Sequence, residues 1–310
     1  MTKTAVLIPC YNEEAAIAKV VADFSKSLPD AKIYVYDNNS KDRTIEVARA
    51  AGAIVRSEPL QGKGNVLRRM FSDIEADIYV LVDGDATYDA SSAPKMVELL
   101  RRESLDMVNG ARVTDIQKAY RPGHRFGNWL LTSMVSWIFG NRFSDMLSGY
   151  RVFSRRYVKS FPALSGGFEI ETELTVHALE LHMPTAEVAT PYKDRPEGSM
   201  SKLSTFKDGF RILWTIIVLM KEERPMQFFS LLALGFAAIA TMLIVPIVVT
   251  YMETGYVPRL PTAVMSMGLM IVAFLSMTCG LILDTVTRGR REMKRMRYLN
   301  IPAPQSLSDQ

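Results

Sequence analysis

One stretch constrains this chain more than any other: Ile78-Tyr79-Val80-Leu81-Val82-Asp83-Gly84-Asp85. The apolar run has the length and β-branched content of a buried strand. It opens into two carboxylates separated by one glycine, and so sets hard anionic oxygens at the carboxyl end of a strand. Open α/β sheets bind ligands at that end. Such a pair suits Mg2+ or Mn2+, and an ion of that kind usually also holds phosphate oxygens.

Strand and helix signals alternate around it. Residues 5–8, 33–36 and 53–56 read as further strands, and residues 13–27, 44–51 and 64–74 as the helices between them. A βαβαβαβ order implies an α/β fold, a parallel sheet with helices on both faces. The loops at 9–14, 37–44 and 83–89 leave parallel strands at the same end, which puts all three on one edge.

The overall composition, 48% hydrophobic and 23% charged, hides a split. Up to about Lys202 the chain is mixed and charged; from Ile212 onward it is dominated by apolar residues. No charged residue lies between Arg224 and Glu253, or between Arg259 and Asp284. Each stretch exceeds the ~20 residues that cross a bilayer as a helix. A buried soluble hairpin would need more protein than is present to cover it. Basic residues gather on one side of the spans: Lys221 and Arg224 before the first, and Arg288, Arg290, Arg291, Lys294, Arg295 and Arg297 after the second, against Arg259 alone in the connector. The positive-inside rule then places both termini in the cytoplasm. Aromatic and charged residues mix over 206–220, which reads as an interfacial helix; residues 129–139 suit either an interfacial or a core helix. The start of the chain is not a signal peptide. Cys10 and Cys279 sit in regions too unlike to pair, which fits a reducing compartment. A net charge of +4 is too small to argue for a nucleic-acid partner. The expected organisation is a soluble domain over 1–203, an amphipathic interfacial helix over 204–224, a two-helix transmembrane hairpin over 225–285 and a basic cytoplasmic tail over 286–310.

Five motifs follow one another from position 8 to 202: I-P-C-Y-N-E-E, D-N-N-S-K-D-R-T, D-G-D-A-T-Y-D, D-M-L-S-G-Y-R and R-P-E-G-S-M-S-K. With them the chain resembles family 2 glycosyltransferases of the GT-A fold. More narrowly it resembles the polyprenyl-phosphate hexosyltransferases, the group of dolichol-phosphate-mannose synthase and the bacterial bactoprenol glucosyltransferases, whose bacterial members also carry two C-terminal spans. The resemblance implies a Rossmann-like, mostly parallel sheet as catalytic domain, followed by the interfacial helix and the spans.

It also implies roles. Asp85 would coordinate the metal ion, and Asp83 the ribose or the ion. Mannose synthases often have Gln where Thr87 stands, so a third ligand is not expected there. Asp37 would accept from N3–H of uracil or N1–H of guanine. The family's D-D-G-S reads Asp37-Asn38-Asn39-Ser40 here, and Asn39 tolerates the left-handed backbone that Gly supplies. Asp42 suits the cap of the helix from Thr44. Pro9, Tyr11 and Glu13 would complete the nucleoside wall. Lys63 lies between two glycines at a helix start that faces a phosphate or sugar hydroxyl, or is a plain turn. Arg195 and Lys202 match the family's mobile loop, whose cations meet the developing charge of the diphosphate. Arg121 and Arg125, beside His124 and Asn128, would hold the lipid phosphate, anionic headgroups being the other reading. Asp145 is the candidate acid near the reacting atoms. Arg151 holds the acceptor phosphate or pairs with Asp145. Glu169, Glu171 and Glu173 suit the first turn of a helix, and Glu173 matches a family acid best. His177 and His182 read as packing or surface.

The implied reaction moves a hexose, with inversion, from a nucleotide sugar to polyprenyl (undecaprenyl) phosphate at the cytoplasmic face of the inner membrane. UDP-glucose is the first donor expected; UDP-GlcNAc, UDP-galactose and GDP-mannose stay open. A phosphate monoester has its second pKa near ~6, so this acceptor needs positioning and charge screening more than a strong base. The bacterial relatives suggest a homo-oligomer, a tetramer. A processive polysaccharide synthase would carry Gln-x-x-Arg-Trp, and no Arg-Trp pair occurs. A glycosidase needs an assignable carboxyl pair. A non-catalytic membrane partner that binds nucleotide sugar or lipid is the remaining alternative.

Overall fold

In the computed structural model, residues 2–113, 133, 143–163, 166–167, 169–193, 214, 217–257 and 259–303 are described. Arg121, His124, Arg125, Asn128, Arg195 and Lys202 lie outside them, as do nearly all of the expected 129–139 helix and most of the interfacial segment. Residues 217–223 of that segment are helical. The chain divides into two units, residues 1–210 with 294–310, and residues 211–293.

The first unit is built on strands β1 (Thr4–Cys10), β2 (Lys32–Asp37), β3 (Ile54–Ser57), β4 (Ile78–Leu81), β5 (Met107–Val113), β6 (Arg151–Ser154) and β7 (Thr185–Pro191). They form one sheet in the order β3-β2-β1-β4-β6-β5-β7. Every pairing is parallel except those of β6, which runs against both β4 and β5. Val6, Leu7 and Ile8 of β1 are fully buried, as a strand covered on both faces requires.

Helices α1 (Ile17–Ser27), α2 (Thr44–Ala50), α3 (Lys63–Asp73), α4 (Ala93–Arg102), α5 (Arg155–Ser160) and α6 (Ile170–Glu180) complete this unit. α1 buries Ile17, Val20, Val21 and Phe24, one stripe at helical spacing. It begins at Ile17 rather than at Glu13. The Glu13 carbonyl instead accepts the N–H groups of Ala16 and Ile17 at 3.0 and 2.9 Å, which makes residues 13–16 a lead-in turn.

The reversed strand shapes the working edge of the sheet. Arg151 pairs with Leu81, the last residue of β4. The Gly149-Tyr150 step before β6 therefore arrives where β1, β2 and β4 end. The end of α8 (Leu260–Leu299) also belongs to this unit from Lys294 on. Lys294 pairs with Glu180 at 2.6 Å, and the Tyr298 hydroxyl donates to Asp106 at 2.7 Å. Residues expected as a basic tail from 286 thus continue α8 as far as Leu299.

The second unit holds α7 (Pro225–Thr254) and most of α8. α7 ends on Gly255, left-handed at φ 72°, whose N–H returns to the Tyr251 carbonyl at 2.8 Å. The buried positions include two seven-residue series, Ala233, Ala240 and Ile247 on α7 and Ser266, Ala273, Gly280 and Thr287 on α8, with Pro225 and Ser276 beside them. Leu231, Leu234, Met242, Phe274 and Leu281 are exposed. Small residues inside and large apolar ones outside is the reverse of a soluble protein and suits helices packed in lipid. Both helices are long and apolar enough to cross a bilayer.

Candidate functional site

Two loops leave β1 and β2 side by side, since Cys10 pairs with Asp37 in the parallel register. They are laced together. Asn12 N–H donates to Ser40 Oγ at 2.8 Å, Lys41 N–H to Asn12 Oδ1 at 2.8 Å, and Glu13 N–H to Thr44 Oγ1 at 2.9 Å. Asn12 and Asn39 both take positive φ, 53° and 65°, the left-handed backbone that Asn bears more easily than most residues. Asp42 stands one residue outside the cap position of α2, which Arg43 occupies, yet its Oδ1 accepts the Thr44 N–H at 3.0 Å. Asp37 is buried. Its Oδ2 accepts the Ser40 N–H at 3.1 Å, and its Oδ1 has no partner.

Asn38 then ties this edge to the approach of α3. Its Nδ2 donates to the carbonyls of Glu58 and Leu60 at 2.9 and 2.7 Å, and its Oδ1 receives the Gly62 N–H at 2.7 Å. Gly62 has φ 131°, and a Cβ there would run into the Gly166 carbonyl, so glycine is required on both counts. Lys63 follows as the first residue of α3. Its ammonium lies 2.5 Å from Asp83 Oδ1 and 2.6 Å from Glu171 Oε1. Burial opposes the Lys63 charge, but Asp83 and Glu171 outweigh it and hold the amine above the usual lysine range. Burial raises the Glu171 carboxyl against the pull of Lys63. Of the three glutamates on alternate positions, Glu171 is the one that meets Lys63.

The Asp83-Gly84-Asp85 step is sterically determined. A Cβ on Gly84 would lie 2.6 Å from Cys10 Sγ, and Gly149 leaves no room for a Cβ beside the Asp83 carboxylate. Asp85 is buried, with Oδ1 accepting from Thr87 Oγ1 at 2.6 Å and from Thr87 N–H at 3.2 Å. Ala86 between them has φ 59°; for a residue with a Cβ that conformation costs roughly 1–2 kcal/mol, and such strain gathers at functional sites. The chain returns here after β7: Lys193 N–H donates to the Thr87 carbonyl at 2.8 Å, and Tyr192 bridges to Tyr88. Burial raises the Tyr192 phenol, and the charges of Asp85 and Asp83 add to the shift. Both carboxylates therefore bear on one small volume.

Asp145 is held in a two-point ion pair with Arg112, at 2.6 and 2.8 Å. Burial pushes its carboxyl up, but the Arg112 hydrogen bonds and charge pull it below the usual range. Arg112 carries no recognisable sequence motif. Arg151 departs from expectation: it is fully buried and pairs with neither Asp145 nor open space. Its guanidinium donates to the carbonyls of Ser148, Met146 and Glu171 at 3.0, 2.5 and 3.1 Å and to Thr175 Oγ1 at 2.8 Å. It braces the turn into β6, with its donors taken up inside the fold. His177 is packed between Tyr157 and Phe161, with burial lowering its pKa to about 3.

The donor set fits a hard divalent cation. Asp83 and Asp85 supply oxygens, and among the described residues no third His, Cys, Asp or Glu is placed to join a cluster. An ion held by one or two carboxylates, with substrate phosphates and water completing its shell, is how Mg2+ is usually bound.

Comparison with known proteins agrees with this geometry. The pattern of glycosyl transferase family 2 matches residues 5–161, from β1 through α5. Glycosyltransferase AglJ of Haloferax volcanii is 34% identical over 302 residues, 95% of this chain and 97% of that one. Dolichyl-phosphate hexose transferase of the same organism is 29% identical over 220 residues, 71% of this chain and 95% of that one. Glucosyl-3-phosphoglycerate synthase of Mycobacterium tuberculosis, crystallised with Mg2+ and uridine diphosphate, matches the fold with a TM-score of 0.58 at 24% identity, over 71% of this chain and 79% of its own. With a GT-A sheet, an Asp-x-Asp pair at its carboxyl edge and relatives along nearly its whole length, the chain belongs to glycosyl transferase family 2.

Proposed function

We propose that this glycosyltransferase moves a hexose from a nucleotide sugar to polyprenyl phosphate, with inversion, at the cytoplasmic face of the inner membrane. The observation that carries the donor side is Asp37. Its buried Oδ1 has no partner, at the edge where Asp83 and Asp85 end β4. A buried carboxylate oxygen left unpaired is costly, and the ring N–H of uracil or guanine would satisfy it. Pro9, Tyr11, Glu13 and Asn39 would complete the wall around the base. UDP-glucose is the first donor to test, then UDP-GlcNAc, UDP-galactose and GDP-mannose.

A divalent cation at Asp85 and Asp83 would supply positive charge to the departing diphosphate. Lys63 adds a second cation from the protein itself, and Arg195 and Lys202 would close over the same group. Arg121 and Arg125 would receive the lipid phosphate; Arg151 is left out, because its donors are spent inside the fold. The acceptor oxygen is ionised at neutral pH, so the residues orient and screen it rather than remove a proton. The apolar hairpin, with most of its flanking basic residues on one side, would anchor the enzyme in the acceptor's membrane.

The test is purified full-length protein in detergent with Mg2+ or Mn2+, undecaprenyl phosphate and each nucleotide sugar. A lipid-phosphate-hexose detected by mass from one donor supports the proposal. Nucleotide release without a lipid product would move the acceptor elsewhere.

A further inference from the structure

Lys63 fills the place of a cation before any substrate arrives. Two of the three N–H donors of an ammonium are committed, to Asp83 Oδ1 at 2.5 Å and Glu171 Oε1 at 2.6 Å. Asp83 Oδ2 lies against Gly149, where not even a Cβ would fit, while the side chain keeps 30% of its surface open. Glu171 is buried, and its Oε2 has no hydrogen-bond partner. One half-open carboxylate is therefore neutralised by the ammonium, and a second, buried carboxylate holds that ammonium in place.

We infer that Glu171 is a positioning residue that parks Lys63 on Asp83 as a resident counter-ion, so that a divalent cation gains Asp83 only together with a nucleoside diphosphate. This rests on the metal and nucleotide reading of the site given above. An ammonium and a divalent ion in contact with one carboxylate repel each other strongly at such range. A diphosphate removes the conflict by offering phosphate oxygens to both cations. Lys63 then turns from Asp83 toward the diphosphate, and Asp83 is released to the ion. Ion and nucleotide become reciprocally coupled ligands, and the donor is met by a site whose charge is already balanced. Glu171 acts through Lys63 and touches no reacting atom.

The test follows Mn2+ binding to the full-length protein in detergent, from the electron paramagnetic resonance of the free ion, with and without UDP or GDP. The wild-type protein should bind Mn2+ weakly alone and at least about tenfold more tightly with its nucleotide, within the usual range of coupling. Lys63→Met should bind Mn2+ alone about tenfold more tightly than wild type and lose most of the coupling. Lys63→Arg, which keeps the charge, should behave as wild type. Glu171→Gln should shift free Mn2+ affinity in the same direction as Lys63→Met by a smaller factor, and it carries the test if Lys63→Met does not fold. A folded Lys63→Met with unchanged or weaker affinity for Mn2+ alone overturns the inference. Failure of the wild-type protein to bind either nucleotide would overturn the donor reading along with it.

Discussion

The Tyr298 hydroxyl donates to Asp106 Oδ2 at 2.7 Å, across 192 positions of sequence. Asp106 is fully buried and also receives the Ser154 hydroxyl at 2.7 Å and two Arg156 bonds at 3.1 and 2.8 Å. The Arg156 guanidinium in turn lies over the Tyr298 ring, 4.3 Å from its centroid. These donors converge on one buried carboxylate and fix its position. Tyr298→Phe keeps the ring and its cation contact and removes one donor. We expect a loss of about 1 kcal/mol, seen as a fall in Tm of roughly 2–4 °C, with turnover of the folded enzyme unchanged. Thermal unfolding in detergent, read beside the transfer assay, checks both.

Asp85→Asn keeps the shape of the loop and the contact with Thr87, and removes the charge. If Asp85 carries the ion, sugar transfer should fall by about 10²- to 10³-fold, the scale of losing one key electrostatic group, while the unfolding midpoint moves little. Near-normal transfer by the variant would count against the metal assignment.

Gly84 has no space for a side chain because Cys10 Sγ occupies it. Gly84→Ala should displace the Asp83-to-Asp85 turn and cut transfer about 10²-fold, as small misplacements in active sites do. Adding Cys10→Ala opens the space and should restore a large part of the activity. A double variant no better than the single one would refute the steric account.

Asp145 has a carboxyl pKa lowered in the folded chain by Arg112. The unfolded chain then binds the proton more readily, so this pair's stabilisation is complete above the unfolded value near ~3.9 and is lost as pH falls through the lower folded value. Asp145→Asn should therefore be less stable than wild type at neutral pH by roughly 1–3 kcal/mol. The gap should narrow in acid. Denaturant unfolding across pH measures it, and a gap constant down to strong acid would exclude the ionised pair as its source.

The first four strands were legible because each is a short apolar run closed by a chemistry-rich loop. The last three were not. β5 contains Asn109, Gly110 and Arg112, β6 opens on a buried arginine, and β7 alternates small and polar residues. Their burial comes from neighbours distant in sequence, which local pattern does not carry. The same holds at the site. Asp37, Asp83 and Asp85 announce themselves as residues at strand ends. The bond from Lys63 to Glu171 spans 108 positions, and nothing local separates Glu171 from Glu169 or Glu173. Arg151 differs for the opposite reason: its motif fits an acceptor phosphate or a pair with Asp145, while its donors satisfy carbonyls of the preceding turn and of α6 and the Thr175 hydroxyl.

The reversed strand β6 also bears on how such an enzyme can change. β5 ends at Val113 and β6 begins at Arg151, and the antiparallel pairing of the two puts both points on the edge that carries Asp83. The chain thus leaves the sheet at Val113 and rejoins it at Arg151 on the same edge as the Asp-x-Asp turn. Lengthening a closed loop costs little, about 0.6 kcal/mol per doubling. Insertion or exchange between these two points can therefore be accepted while the register of the sheet and the Asp-x-Asp turn stay as they are.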